Sequence, residues 1–336
     1  LFPVDNTYDF SYALPYVLRD QGYATTYLHD NVATFYVRGA MMPQLGFDNV
    51  YLHEELYPDE PIWKWNGDYT LDSVTMEKML PMFSTTDGPF YTYWASLSTH
   101  GPYDYGPANK ALFEELGYFA AIDQAEEDGL WHNVFEGGDP AYIAKIRHYQ
   151  AAVMDLDVAI GMMLEDLEAK GILDNTIIVM YGDHNVYYHD IYLRMFYGTF
   201  NDYYNMEMYH NFFVMYNPDL TQLYLDKSGD NDSTISEFVT PYTIVPTLMD
   251  LLGIQYNQNL FMGSSVFAEG SDVFYSIKLT GFFDFNMYSS DGEELIYYKE
   301  QYTDEELADF IAQCEVLKYK IGYINKYYVE TKEAKE

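Results

Sequence analysis

Apolar positions along the chain switch between a helical and an extended spacing, with Gly and Pro marking the changes. Phe10 to Asp20 carries Leu14, Val17 and Leu18 at helix spacing, with Pro15 acceptable in a first turn and Gly22 as a stop. Ala24 to Leu28 is β-rich and runs into His29-Asp30-Asn31, and Pro89 to Leu97 is a second strand that runs into Ser98-Thr99-His100. Ile146 to Gly171 contains a long helix with Ala152, Leu156, Ile160, Met163 and Leu164 on its apolar stripe. Thr176 to Tyr181 is apolar throughout, the pattern of a buried parallel strand, and leads to Gly182-Asp183-His184. Phe212 to Tyr216 is a fourth strand. Thr240 to Gly253 is a further helix, with Thr240 or Thr243 as its cap and Pro246 near its start. The alternation predicts an α/β fold: a mixed, largely parallel central sheet covered on both faces by helices.

Two stretches break the rhythm. Lys110 to Tyr142 is acidic with scattered aromatics and no clear period, which marks it as an insertion or surface subdomain. Beyond about Gly263, short aromatic pieces (Val273 to Leu279, Phe282 to Tyr288, Glu294 to Tyr298) with a turn at Ser290-Asp291-Gly292 predict an antiparallel meander. An amphipathic helix follows from Asp304 to about Tyr327, and the lysine-rich end is expected to fray. The domain reading is therefore 1–265 as the main body and 266–336 as a small α+β subdomain packed on it. There are no internal repeats and no low-complexity segments.

Composition narrows the function. Of the 336 residues, 53 are Asp or Glu and 17 are Lys or Arg, a net charge of -36, yet 49% are hydrophobic and 18% aromatic. Such a chain buries a large core and is no disordered acidic tail. Its charge repels phosphate backbones and anionic lipid, which excludes a backbone-tracking nucleic-acid binder and makes cations the natural partners. A single cysteine, Cys314, allows neither an internal disulfide framework nor a Cys/His zinc cluster. The longest nearly apolar run, Tyr242 to Ile254, carries Asp250 and is too short to span a bilayer. Leu1-Phe2-Pro3-Val4 shows neither an initiator Met nor a basic signal region, so a segment is expected upstream.

Three strands each deliver a histidine at the carboxyl end: His29, His100, and His184 beside Asp183. In an open α/β sheet ligands bind beyond that end, so the three are expected to converge on one cleft. Asp183 and His184 offer a hard oxygen and a borderline nitrogen to one divalent cation, with Gly182 letting the backbone turn so that both point inward. Two groups are too few for a complete site, so further ligands must come from elsewhere. His189 and His210 could serve a second metal, but their tyrosine neighbours favour ordinary packing. His53, His132 and His148 are expected on the surface or on helices. Asp155 and Asp157 could support the metal ligands or belong to a solvated helix face.

The blocks Gly22-Tyr23-Ala24-Thr25, His29-Asp30-Asn31, Phe35-Tyr36-Val37-Arg38 and Leu45-Gly46-Phe47-Asp48 follow one another in order. Ser98 to Tyr103 (STHGPY), Asp174 to His184, and Val245-Pro246-Thr247-Leu248 to Gly253-Ile254 continue the series. Together, from about residue 5 to 265, they resemble the lipoteichoic acid synthase branch of the sulfatase and alkaline phosphatase superfamily. The resemblance implies that Asp183 and His184 are two ligands of a single catalytic metal, Mn2+ in the first place and Mg2+ in the second. It implies that His29, Asn31, Tyr36, Arg38 and His100 line the glycerol phosphate subsite, Tyr36 standing where a tryptophan is usual and Asn31 where the family often has an acidic residue. Arg38 suits phosphate oxygens, while His29 and His100 suit hydrogen bonding or proton transfer, His100 being the foremost catalytic candidate.

The same resemblance places the threonine nucleophile, and a further acidic metal ligand, upstream of the first matched block. Thr7, Thr25 and Thr26 do not stand in that place. The expectation is thus an extracellular phosphoglycerol transferase domain that begins after its nucleophile and does not turn over alone, with membrane contact through the upstream region. Its partners would be a phosphatidylglycerol-like head group and a glycerol-phosphate polymer or glycolipid acceptor. The alternatives are a sulfatase or phosphodiesterase of the same fold, or a non-catalytic homologue binding anionic polymer or glycan.

Overall fold

The computed structural model describes residues 10–59, 70–130, 140–184, 211–228, 233–235, 239–268, 273–277, 280–284, 286–298 and 301–335. They fall into two compact units, one over Ala13–Thr176 and one over the described parts of Asp5–Tyr12, Ile177–Asn185 and Asp202–Glu336.

The first unit is built on a parallel sheet. Helix α1 (Leu14–Asp20) has Pro15 in its first turn, as its spacing predicts, and leads into β1 (Ala24–His29). β1 lies between β2 (Asn49–Tyr51) and β3 (Phe90–Ala95), parallel to both, with Thr26 opposite Asn49 and the β3 register running from Ala24↔Phe90 to His29↔Ala95. As the central strand, β1 has Thr25 to His29 buried. The polar threonine is tolerated because its Oγ1 donates to the Gly46 carbonyl at 2.9 Å and accepts the Asp48 N–H at 2.9 Å. Parallel register has a direct consequence: the carboxyl ends of β1 and β3 open on the same edge.

Helix α2 (Arg38–Gln44) packs on β2, the short α3 (His53–Leu56) follows β2, and α4 (Asp72–Phe83) packs on β1 and on the long α7 (Pro140–Ala169). The described part of the stretch expected to be a surface insertion, up to residue 130, contributes to the core instead. It forms α5 (Pro107–Glu115) and α6 (Tyr118–Glu127), whose Phe113, Tyr118 and Ile122 join Leu71, Tyr105, Ile146 and Ala152 in one buried cluster. Each such side chain contributes about 1.5–3 kcal/mol of burial. The aromatics were scattered because two short helices, separated by Leu116 and Gly117, each show only one or two turns of a stripe.

In the second unit β4 (Ile178–Tyr181) pairs with β5 (Phe213–Tyr216). Their ladder is antiparallel, Ile178↔Tyr216 to Tyr181↔Phe213, and among the described residues it is the one ladder β4 makes, so the parallel reading of that strand is corrected. An apolar run reports burial, not the direction of the partner. Helices α8 (Leu220–Ser228) and α9 (Pro241–Leu251) follow, with Pro246 well inside α9 rather than near its start. The C-terminal meander is a four-stranded antiparallel sheet in the order β6 (Phe274–Ser276), β7 (Gly281–Phe283), β8 (Met287–Ser289), β9 (Tyr297–Tyr298). The single piece predicted over Phe282 to Tyr288 is two strands, because Asp284 accepts the N–H groups of Asn286 and Met287 at 2.6 and 2.5 Å and so folds a tight turn. Helix α10 (Asp304–Lys335) buries Phe310, Cys314 and Leu317 with Val273, Phe282 and Met287 of this sheet, and it continues past Tyr327 without the expected fraying. The parallel sheet with its helices and the antiparallel C-terminal sheet agree with the expected α/β architecture. No helix among the described residues is long and apolar enough to cross a membrane.

Candidate functional site

In the first unit, His29 ends β1 and its Nδ1–H donates to the carbonyl of Ala95, its register partner on β3, at 2.8 Å. The imidazole is 4% exposed, and burial pushes its pKa down to about 4; the Ala95 bond opposes that shift, while the positive Arg38 and His100 add to it. His29 is therefore neutral at pH 7, and with Nδ1–H committed its Nε2 is a hydrogen-bond acceptor.

Arg38 opens α2 directly after a turn over Phe35–Val37 in which Tyr36 and Val37 both take left-handed backbone (φ 52 and 57). Two such residues store about 1–3 kcal/mol each, strain that the surrounding structure must hold. The turn stacks the guanidinium against the Phe35 and Tyr36 rings, 5.4 and 5.3 Å from their centroids, and leaves Tyr36 60% exposed. Arg38 Nη1 is buried and has no hydrogen-bond partner among the described residues. An unpaired buried guanidinium nitrogen is costly unless an anion completes it.

The segment from His29 to Arg38 is clamped by α3. His53 Nδ1–H donates to Asp30 Oδ1 at 2.6 Å, its backbone N–H donates to the Asn31 carbonyl at 3.1 Å, and Glu54 accepts the Ala33 N–H at 3.1 Å. Thr75 Oγ1 adds a 3.3 Å bond to Asp30 Oδ2. Asn31 is buried, its Oδ1 accepting the Val32 N–H at 2.8 Å.

His100 follows β3 by five residues, and its Nδ1–H donates to the Gly101 carbonyl at 2.7 Å. The segment around it is closed from behind by α7: His148 Nδ1–H donates to the Tyr103 carbonyl at 3.0 Å. His53 and His148 both lie on helices, as allowed for, but both are buried rather than at the surface, and burial pushes the His148 pKa down. Of the two helix aspartates, Asp155 is fully buried and Asp157 exposed. Sequence reasoning gave Asp30 and Asp72 no role and His53 only a surface or helix position, since nothing in a lone Asp or His separates a buried anchor from a solvated one.

In the second unit, β4 delivers Asp183 and His184. Gly182 does not take left-handed backbone; it is required because the Asn211 side chain fills the space where a Cβ would stand. Asn211 Nδ2 donates to the His184 carbonyl at 2.9 Å and its Oδ1 accepts the Phe212 N–H at 3.0 Å, so the asparagine ties the pair to the start of β5. Asp183 Oδ1 stands 3.4 Å from His184 Nε2. Donors bound at about 2.1 Å to one ion lie about 3.0–3.4 Å apart for angles of 90–109°, so the pair fits a shared divalent cation. No cluster of three or more metal-ligating side chains occurs among the described residues, and His132, His189 and His210 lie outside them. His29, Arg38 and His100 belong to the first unit and the Asp183-His184 pair to the second, and each group has its geometry within its own unit.

A parallel sheet whose central strand ends at His29, with Arg38 and His100 in the segments that follow its strands, and a further strand running into Asp183-His184 point to a class. The sulfatase family model matches residues 6–254, and the chain belongs to this family of enzymes. Within it, the chain is 23% identical over 266 residues to lipoteichoic acid synthase 2 of Bacillus subtilis (strain 168), a match covering 76% of this chain and 35% of that protein. The chain thus spans about a third of the length of this curated relative. Among solved structures, the lipoteichoic acid synthase LtaP from Listeria monocytogenes superposes with a TM-score of 0.65 at 20% identity, covering 93% of this chain and 72% of that one. The C-terminal periplasmic domain of EcEptC from Escherichia coli, solved in complex with Zn, gives 0.54 at 17% identity, covering 81% and 71%. These likenesses bear out the resemblance drawn from the sequence blocks and give the chain the alkaline phosphatase and sulfatase fold.

Proposed function

We propose that the chain is part of a metal-dependent phosphoglycerol transferase, working at the extracellular face of a cell membrane on a phosphatidylglycerol-like head group. A glycerol-phosphate polymer or glycolipid would be its acceptor. The observation that carries this reading is the buried, unpartnered Arg38 Nη1 beside His29 and His100. In this reading residues 1–265 form the catalytic body and 266–336 its C-terminal subdomain.

Asp183 and His184 would hold one divalent ion, Mn2+ foremost and Mg2+ next; the similar E. coli domain solved in complex with Zn supports a divalent ion in this fold. When bound, the ion would supply stabilisation of negative charge at phosphorus. The chain's own residues do the rest. Arg38 binds phosphate oxygens with its open guanidinium edge. His29, neutral and presenting Nε2 as an acceptor, suits a glycerol hydroxyl better than a phosphate oxygen, which brings no proton to share. His100, with Nδ1 directed to Gly101, moves the proton at Nε2. Asn31 holds the backbone between His29 and Arg38 in its turn, and exposed Tyr36 flanks the glycerol. The nucleophile of the resemblance is a threonine, and no threonine in 1–336 is assigned that role.

Calorimetric titration of the purified chain with glycerol phosphate tests this. Arg38→Ala should weaken binding by about tenfold to a hundredfold, equivalent to the 1.5–3 kcal/mol of a charge-assisted hydrogen bond. Equal affinity in wild type and variant, or stronger binding of a sugar sulfate than of glycerol phosphate, would overturn the assignment, the second in favour of a sulfatase.

A further inference from the structure

The segment carrying His100 is fastened at its start by a carboxylate that none of the roles above uses. Asp72, in the first turn of α4, is 3% exposed. Its Oδ1 accepts the Leu97 N–H at 2.9 Å, and its Oδ2 accepts both the Ser98 N–H at 3.0 Å and the Ser98 Oγ–H at 2.5 Å. The Leu97 carbonyl in turn accepts the His100 N–H at 3.0 Å, so Asp72, the 97 peptide and His100 form one hydrogen-bonded line. The Ser98 carbonyl accepts the Tyr105 hydroxyl, which closes the far side of the turn.

We infer that Asp72 is a positioning residue: acting through Leu97 and Ser98, it sets the place of the His100 ring. Three donors aimed at one buried carboxylate specify an acceptor there, and an amide in its place would put an NH2 group against an N–H. Burial pushes the Asp72 pKa up to about 6, opposed by the bonds from Ser98 and Leu97. The neighbouring Asp155 on α7 raises it further. Asp155 accepts the Ser73 N–H at 3.0 Å and the Ser73 Oγ–H at 2.5 Å, with Tyr118 on α6 donating as well. As the pH falls through about 6, Asp72 gains a proton and one of its accepting positions becomes a donor, loosening the turn. The functional consequence rests on the proposed role of His100; the positioning itself does not.

Histidine ring signals of the whole chain, followed by NMR against pH with His100 assigned through His100→Gln, test the inference. Asp72→Asn should displace the His100 signal and weaken glycerol phosphate binding about tenfold. The His53 signal should stay in place. Ser98→Ala, which removes one donor of three, should move His100 in the same direction by less, and it decides the matter if Asp72→Asn fails to fold. An unchanged His100 signal in a folded variant overturns the inference. If His100 moves while neither Asp72→Asn nor Arg38→Ala alters glycerol phosphate binding, the positioning stands and the transferase reading falls.

Discussion

Gly182→Ala disturbs the Asp183-His184 pair without replacing either residue. A Cβ at 182 would lie 1.9 Å from Asn211 Nδ2, 2.2 Å from Cγ and 2.3 Å from Oδ1, against an ordinary contact of about 3.5 Å. Asn211 must then leave, giving up its bonds to the His184 carbonyl and the Phe212 N–H. Each of the two bonds contributes about 0.5–1.5 kcal/mol and forced repacking costs about 1–3 kcal/mol, so a loss of roughly 2–6 kcal/mol is expected in urea denaturation. The diagnostic comparison is the double variant Gly182→Ala/Asn211→Ala. With the clash gone, it should recover the repacking part, about 1–3 kcal/mol, relative to Gly182→Ala. If single and double variants are equally unstable, or if Gly182→Ala matches wild type, then the close approach of Asn211 is not what demands glycine.

Two other outcomes follow from buried charge. His53→Ala leaves the buried Asp30 carboxylate without the imidazole that faces it, and a loss of about 3–5 kcal/mol is expected; a urea midpoint unchanged from wild type would show that the Asp30-His53 pair holds nothing. For His29, a folded pKa near 4 lies below the ordinary 6.5, so the unfolded chain binds the proton more readily. Its contribution is fully present above pH 6.5 and is lost as the pH falls toward 4, by up to about 3 kcal/mol. His29→Gln should flatten that limb of a stability–pH curve, and an identical slope in the variant would refute the assignment.

The sequence by itself determined the elements whose signal is local. The apolar runs of β1 and β3, the stripe of α7 with Gly171 behind it, and the aromatic pieces of the C-terminal meander each report on neighbours a few residues away. It also placed His29 and His100 at strand ends, and once β1 and β3 are parallel those ends share an edge. What tertiary structure alone decided are the partners. The antiparallel pairing of β4, the burial of 107–127, the grip of Asp72 on residues 97 and 98, and that of Asp30 on His53 all join groups more than twenty residues apart or depend on what packs opposite. Gly182 makes the same point at one residue: its glycine looked like a turn requirement and proved to be a matter of space for Asn211. A side chain carries the same chemistry wherever it sits, whereas its burial, and with it the protonation state and strength of every bond it makes, is set by chain segments that local sequence does not contain.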